Sequence, residues 1–201
     1  MRKLILLAFI FILPLAVFAQ EKLLKDIDFD GKIDTVYIDQ NESKIVCRLS
    51  TQNFKLKSKK IERAGDNTFI EPKKNGFEIR VNWMRSGYTC QFRYEKIEKR
   101  MRLIGISEYA FGNATNDGSG EASVNLITGD YIGNWHYFDH LANKENGKLF
   151  KIPTIKAKMQ IKKIYLEDFD DEQYDAISEK FSALIEKQKN LEIKRQAKKS
   201  R

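Results

Sequence analysis

Between residues 35 and 165 the apolar positions recur mostly at every second residue. Phe77, Ile79, Val81 and Trp83 alternate with Glu78, Arg80 and Asn82; Tyr88, Cys90, Phe92 and Tyr94 alternate with Thr89, Gln91 and Arg93. Successive side chains of a strand point to opposite faces, so this period predicts half-buried strands with one dry and one wet face. Turn signals separate the runs at Asn41-Glu42-Ser43, Asn75-Gly76, Ser86-Gly87, Glu95 to Lys99 and Thr128-Gly129-Asp130. Connections this short favour antiparallel hairpins over the long crossovers that parallel strands require. Ile155, Ala157, Met159 and Ile161 predict a further strand after Pro153, with Lys156, Lys158 and Lys162 facing outward.

The period then changes. From Asp170 or Asp171 onward, Tyr174, Ile177, Phe181, Leu184, Ile185 and Leu191 recur at helical spacing. Asp171, Glu172 and Asp175 stand at the start, where the helix dipole favours acids. The predicted fold is therefore mainly β (α+β): an antiparallel β-sandwich, barrel or incomplete propeller with one C-terminal amphipathic helix. No glycine- or serine-rich linker divides the chain. Residues 20–201 are expected to form a single β-rich domain, with loop and strands over 20–169 and the helix with its basic tail over 170–201. A complete propeller with ordinary blades is hard to fit into that length.

Residues 1–19 read as an export signal. Arg2 and Lys3 precede an uncharged apolar run from Leu4 to Phe18, and Val17-Phe18-Ala19 offers small residues to a peptidase, with cleavage expected between Ala19 and Gln20. As a helix, the fifteen-residue run would reach only about 22 Å, short of a hydrocarbon core of roughly 30 Å. Cleavage rather than anchoring is the expectation, giving a periplasmic or secreted protein with no transmembrane segment in the mature chain. No cysteine follows the cut, which argues against lipid attachment there.

Charge adds one refinement. The chain of 201 residues carries 36 basic and 28 acidic residues, a net +8. Loss of Arg2 and Lys3 leaves +6, of which the segment from Glu186 onward, with seven basic residues against two acids, supplies +5. The body is nearly neutral, so no nucleic-acid partner is expected. The basic C-terminal tail can make at most weak contact with an anionic surface.

The most specific chemistry lies in Asp26-Ile27-Asp28-Phe29-Asp30-Gly31-Lys32-Ile33-Asp34. Asp26, Asp28, Asp30 and Asp34 take positions 1, 3, 5 and 9 of a calcium loop, and Gly31 takes position 6, where the backbone turns sharply. Lys32 at position 7 would offer its backbone carbonyl, its side chain pointing away. Alternate carboxylates converge on one hard cation only if the chain wraps around it. All-oxygen ligation suits Ca2+ better than magnesium, and zinc would seek nitrogen or sulfur.

Position 12 is Tyr37 rather than glutamate, and Thr35-Val36-Tyr37-Ile38 is strand-like. The loop therefore resembles the short EF-hand-like loops of integrin-type FG-GAP repeats, in which the ninth-position carboxylate completes the shell and a strand follows. The resemblance covers about a dozen residues. A second segment, Asn113 to Glu121, repeats the spacing with weaker ligands: Asn113, Thr115, Asp117 and Glu121, with Gly118 at the turn. It reads either as a degenerate calcium loop or as a flexible glycine-rich connection.

Other candidates are weaker. Cys47 and Cys90 both fall on predicted strands, either bonded to each other, which would close a loop of about 44 residues worth roughly 4 kcal/mol, or present as two buried thiols. His136 and His140 would share a face on a helix, but the strand pattern before them separates them by about 13 Å. Trp83, Tyr88, Tyr94, Trp135 and Tyr137 can serve as an aromatic platform for sugars or as core. No nucleotide loop, nucleophile elbow or catalytic residue is recognisable.

The stretch from Arg85 to Tyr94, with Asn116 to Gly120 and Gly133-Asn134-Trp135, resembles an uncharacterised family of exported bacterial proteins with an acidic loop near the mature start. That resemblance implies export and an ion, and no activity. Together these features lead us to expect an exported calcium-binding, non-catalytic recognition protein of the cell envelope. Its partner would be an envelope protein or glycan, with inhibition of an envelope hydrolase one form of that role. A structural envelope protein or a calcium-dependent hydrolase is the alternative.

Overall fold

The computed structural model describes residues 22–65, 67–144 and 146–199. The expected export signal and its cleavage site lie outside the described residues.

Two antiparallel sheets carry the chain. Strands β1 (Leu23–Lys25), β2 (Asp34–Asp39), β3 (Lys44–Arg48) and β4 (Leu56–Lys57) form the smaller one in sequential order. The larger is a meander of β5 (Thr68–Lys73), β6 (Gly76–Asn82), β7 (Ser86–Glu95), β8 (Arg100–Phe111), β9 (Ser119–Asn125) and β10 (Asp130–Asp139). The outer edge of β10 is shared: β12 (Ile155–Lys158) pairs with Asp130–Gly133, and β11 (Lys148–Lys151) pairs with His136–Asp139. Between them, the Ile152 amide donates to the Trp135 carbonyl at 2.8 Å. Among the described residues no barrel closes, and the arrangement is consistent with a β-sandwich followed by a helix.

The period-two pattern translates into burial. Phe77, Ile79 and Val81 on β6 and Tyr88, Cys90, Phe92 and Tyr94 on β7 are all buried, on the dry face of the large sheet. Phe77 stacks on Phe92 at 5.4 Å, and Phe169 meets Phe92 edge-on at 5.4 Å. Full burial of one such side chain is worth about 1.5–3 kcal/mol. One continuous core joins these residues to Ile27, Val36, Ile45 and Cys47 of the small sheet region and to the helix.

Helix α1 (Asp171–Lys199) lies on the same dry face. Tyr174, Ile177 and Phe181, three and four residues apart, are buried, and Phe181 packs edge-on against Tyr131 of β10 at 4.8 Å. Asp170 accepts the Gln173 amide at 2.9 Å and caps the helix start. Leu191 departs from its expected place and is 52% exposed. At that end the buried residue is Glu192, which receives Arg195 through two bonds of 2.7 Å. One residue is about 100° of helix turn, so a buried Glu192 turns Leu191 outward.

Local differences elsewhere have simple causes. Trp83 falls in the turn after β6 and is 39% exposed, and Ser86-Gly87 opens β7 rather than forming the turn. Strand β12 stops at Lys158, leaving Met159 and Ile161 beyond it. No helix among the described residues is long and apolar enough to cross a membrane.

Candidate metal centre

The acidic loop links β1 to β2, with Asp34 as the first residue of β2, paired with Lys25 in register. Its backbone visits the left-handed region at Phe29 (φ +63°) and Gly31 (φ +86°). A Cβ at Gly31 would meet nothing within 4 Å, so glycine serves the dihedral there rather than a tight fit.

Backbone amides fold the loop onto its own carboxylates. The Ile27 and Asp28 amides donate to Asp34 Oδ2 at 2.8 and 3.3 Å, and the Asp30 and Gly31 amides donate to Asp26 at 3.2 and 3.1 Å. As a result, oxygens of Asp26, Asp28 and Asp34 lie within 4.8 Å of one another, a group able to hold a metal ion. Asp28 and Asp34 are buried, 4% and 1% exposed, while Asp26 is half-buried.

Asp30 and Lys32 border that group, the Asp30 amide also donating to Asp28 Oδ1 at 3.3 Å. The Asp30 side chain, 21% exposed, accepts the Ser50 hydroxyl and the Lys32 amide, the latter at 2.8 Å. The Lys32 ammonium is solvent-exposed but lies 3.9 Å from Asp30 Oδ2. Its side chain is 72% exposed.

A second segment completes the site, and sequence spacing did not signal it. The 3-10 turn Ser50–Gln52 follows β3 and brings Ser50 and Thr51 under the loop. The Ser50 amide donates to Asp34 Oδ1 at 2.9 Å, and the Thr51 hydroxyl donates to Asp28 Oδ2. Hydroxyl residues next to a turn are too common in sequence to single out, and only the pairing of β2 with β3 places these two opposite the loop.

Burial raises the Asp34 carboxyl above the usual range, opposed by the Ile27 and Ser50 amides, with the neighbouring Asp28 charge adding to the rise. Asp30 moves the other way, lowered first by the Ser50 hydroxyl and then by the Lys32 amide. Two carboxylates about 4 Å apart repel by about 4 kcal/mol at an effective dielectric of 20. The amide and hydroxyl donors offset part of that repulsion, and a cation held between the three groups would offset the rest.

The remaining candidates resolve differently. In the Asn113 to Glu121 segment, Asn113 Oδ1 accepts from the Thr115 and Asp117 amides at 2.9 and 3.1 Å, while Asp117 Oδ1 accepts the Phe138 amide at 2.8 Å. Its polar groups close a turn and tie it to β10, and its acids belong to no metal-competent group among the described residues. Cys47 and Cys90 are buried free thiols. His136 sits within β10 beside Ser119, and His140 lies past the strand end, its ring edge-on to Phe138 at 4.9 Å. Tyr88, Tyr94, Trp135 and Tyr137 are core residues, which leaves Trp83 as the one exposed member of the expected platform.

Comparison with protein-family models, with curated proteins and with solved structures gives no match.

Proposed function

We propose that this is an exported calcium-binding protein of the cell envelope that recognises a protein or glycan partner without catalysis. The observation that carries the reading is the convergence of Asp26, Asp28 and Asp34 oxygens within 4.8 Å in a loop that opens a strand. All donors in that group are carboxylate oxygens, the chemistry that suits a hard cation with flexible coordination. Calcium there would offset two of the three negative charges and hold Asp34 against Ile27, fixing the register of β2 beside β1.

The test is thermal unfolding of the purified protein after chelation and after return of calcium. A ligand bound only by the native state at a hundredfold excess over its Kd adds about 2.7 kcal/mol, on the order of 5–10 °C for a domain of this size. The shift should vanish in Asp28→Ala and be smaller with magnesium. Identical melting of the wild type with and without calcium would overturn the reading.

A further inference from the structure

We propose that the wet face of the large sheet is a binding trough for a neutral oligosaccharide, a site separate from the metal loop and not dependent on it. Helix α1 packs on the dry face; on the opposite face Arg80, Thr89, Ser107 and Ser123 remain partly exposed. Strand register lines up its side chains in rows. Arg80, Thr89, Ser107, Ser123 and Ile132 are successive cross-strand partners from β6 to β10, and Asn82, Gly87, Tyr109, Glu121 and Asn134 form the adjacent row. Four strand spacings put Arg80 and Ile132 about 19 Å apart.

The rows are shaped as a trough because the middle positions are small. Thr89, Ser107 and Ser123 form a hydroxyl floor between the longer Arg80 and Ile132, and the depression above it encloses about 570 Å3. A second depression of about 250 Å3 shares that floor and runs on past Gln91, Gly105 and Asn125.

Tyr109 supplies a fixed ring in this trough. Its hydroxyl donates to Asn82 Oδ1 at 3.1 Å, and its ring rests on Gly87, where a Cβ would come within 2.6 Å of a ring carbon. Gly87 thus lets the ring lie down against the sheet.

The chemistry of the lining selects the ligand. The Arg80 guanidinium is engaged by Glu71 and Glu78, each at 3.2 Å, and is not free for an anion. Glu121, beside Tyr109 and Asn134 in the lining, disfavours a polyanion there. An apolar ligand would strip water from the hydroxyls and amides without replacing its hydrogen bonds. A peptide strand would seek a sheet edge rather than a face. A polyhydroxylated chain meets each condition: its hydroxyls both donate and accept, so they can match the Ser123 hydroxyl and the Asn82 and Asn134 amide NH2 groups while Thr89 and Ser107 bond each other, and its C–H faces can stack on Tyr109.

The experiment is electrophoresis of the purified protein through native gels cast with hydroxyethyl cellulose, laminarin, galactomannan or xyloglucan, and with polygalacturonate as the polyanion. At least one neutral polymer should retard it. Tyr109→Ala should weaken that retardation about tenfold, Tyr109→Phe should retain it, and Ser123→Gln, which fills the floor from a solvent-facing position, should abolish it. Melting curves confirm that each variant is folded. Retardation by none of the neutral polymers, retardation by polygalacturonate alone, or retardation unchanged in both Tyr109→Ala and Ser123→Gln would overturn the proposal. Parallel gels in chelator separate the two sites. Retardation that survives chelation in a protein showing no calcium shift upholds the trough and removes the metal reading. A calcium shift without retardation does the reverse.

Discussion

The phenol rings of Tyr88 and Tyr174 lie stacked, with centroids 3.9 Å apart and planes 26° from parallel. Tyr88 belongs to β7 and Tyr174 to the second turn of α1, so this contact fastens the helix to the middle of the large sheet. The Tyr174 hydroxyl donates to Glu108 Oε1 at 2.8 Å, and Arg63 lies over its ring at 5.6 Å while pairing with Asp175.

Tyr174→Ala is expected to destabilise the protein by about 3–5 kcal/mol, the range for removing a large buried aromatic. Tyr174→Phe keeps the stack and loses one hydrogen bond, leaving Glu108 partly unsatisfied, and should cost about 1–3 kcal/mol. Urea unfolding of both variants checks the order.

The same stack sets the alkaline limit. Burial raises the phenols of Tyr88 and Tyr174 well above their ordinary value, and Tyr131 is pushed up to about 12. A raised folded-state pKa favours the neutral phenol. The stability these groups contribute is therefore complete below the unfolded-state value of about 10 and is lost as pH climbs toward the folded values. Phenolate absorbance should show these tyrosines ionising late and together with unfolding; reversible ionisation of all eight tyrosines near pH 10 in the folded protein would contradict the packing.

Both thiols should be silent in the native state. Burial, reinforced by nearby carboxylates, pushes Cys47 and Cys90 well above the usual thiol range, and the thiolate is the reactive form. Ellman's reagent is expected to find no thiol in the folded protein and two after denaturation without reductant. None after denaturation would mean that the two are bonded.

Within the acidic loop, Asp34→Ala and Asp30→Ala should separate. Asp34→Ala leaves the Ile27 and Ser50 amides without their acceptor and should cost about 1–3 kcal/mol even in chelator. Asp30→Ala removes the contacts to Ser50 and Lys32 but none of the three converging carboxylates, and should leave most of a calcium-induced melting shift in place. Melting of both variants in chelator and in calcium checks this.

The alternation of Phe77 to Val81 and Tyr88 to Tyr94 was enough to read two neighbouring strands and their dry face, because register follows from period. The helix start at Asp171 was equally legible, since acids and the change of period coincide there. The spacing of Asp26, Asp28, Asp30 and Asp34 marked the loop, and oxygens of Asp26, Asp28 and Asp34 converge within 4.8 Å. The contact of Ser50 with Asp30, reached through the β2–β3 pairing, was not legible. The trough was not legible at all: Thr89, Ser107 and Ser123 lie on three different strands, and nothing local records that they stand side by side.

The divided outer border of β10 has a further consequence. With β12 on one half and β11 on the other, no run of bare amides and carbonyls remains along that strand. At the far side of the same sheet, β5 carries Pro72 and is abutted by β1, with the Lys25 ammonium bonded to the Lys73 carbonyl. On the β10 side the outermost strands are β11 and β12, four residues each and carrying Lys148, Lys151, Lys156 and Lys158, and short, charged edge strands of this kind disfavour self-association by strand addition, the usual route to fibrils.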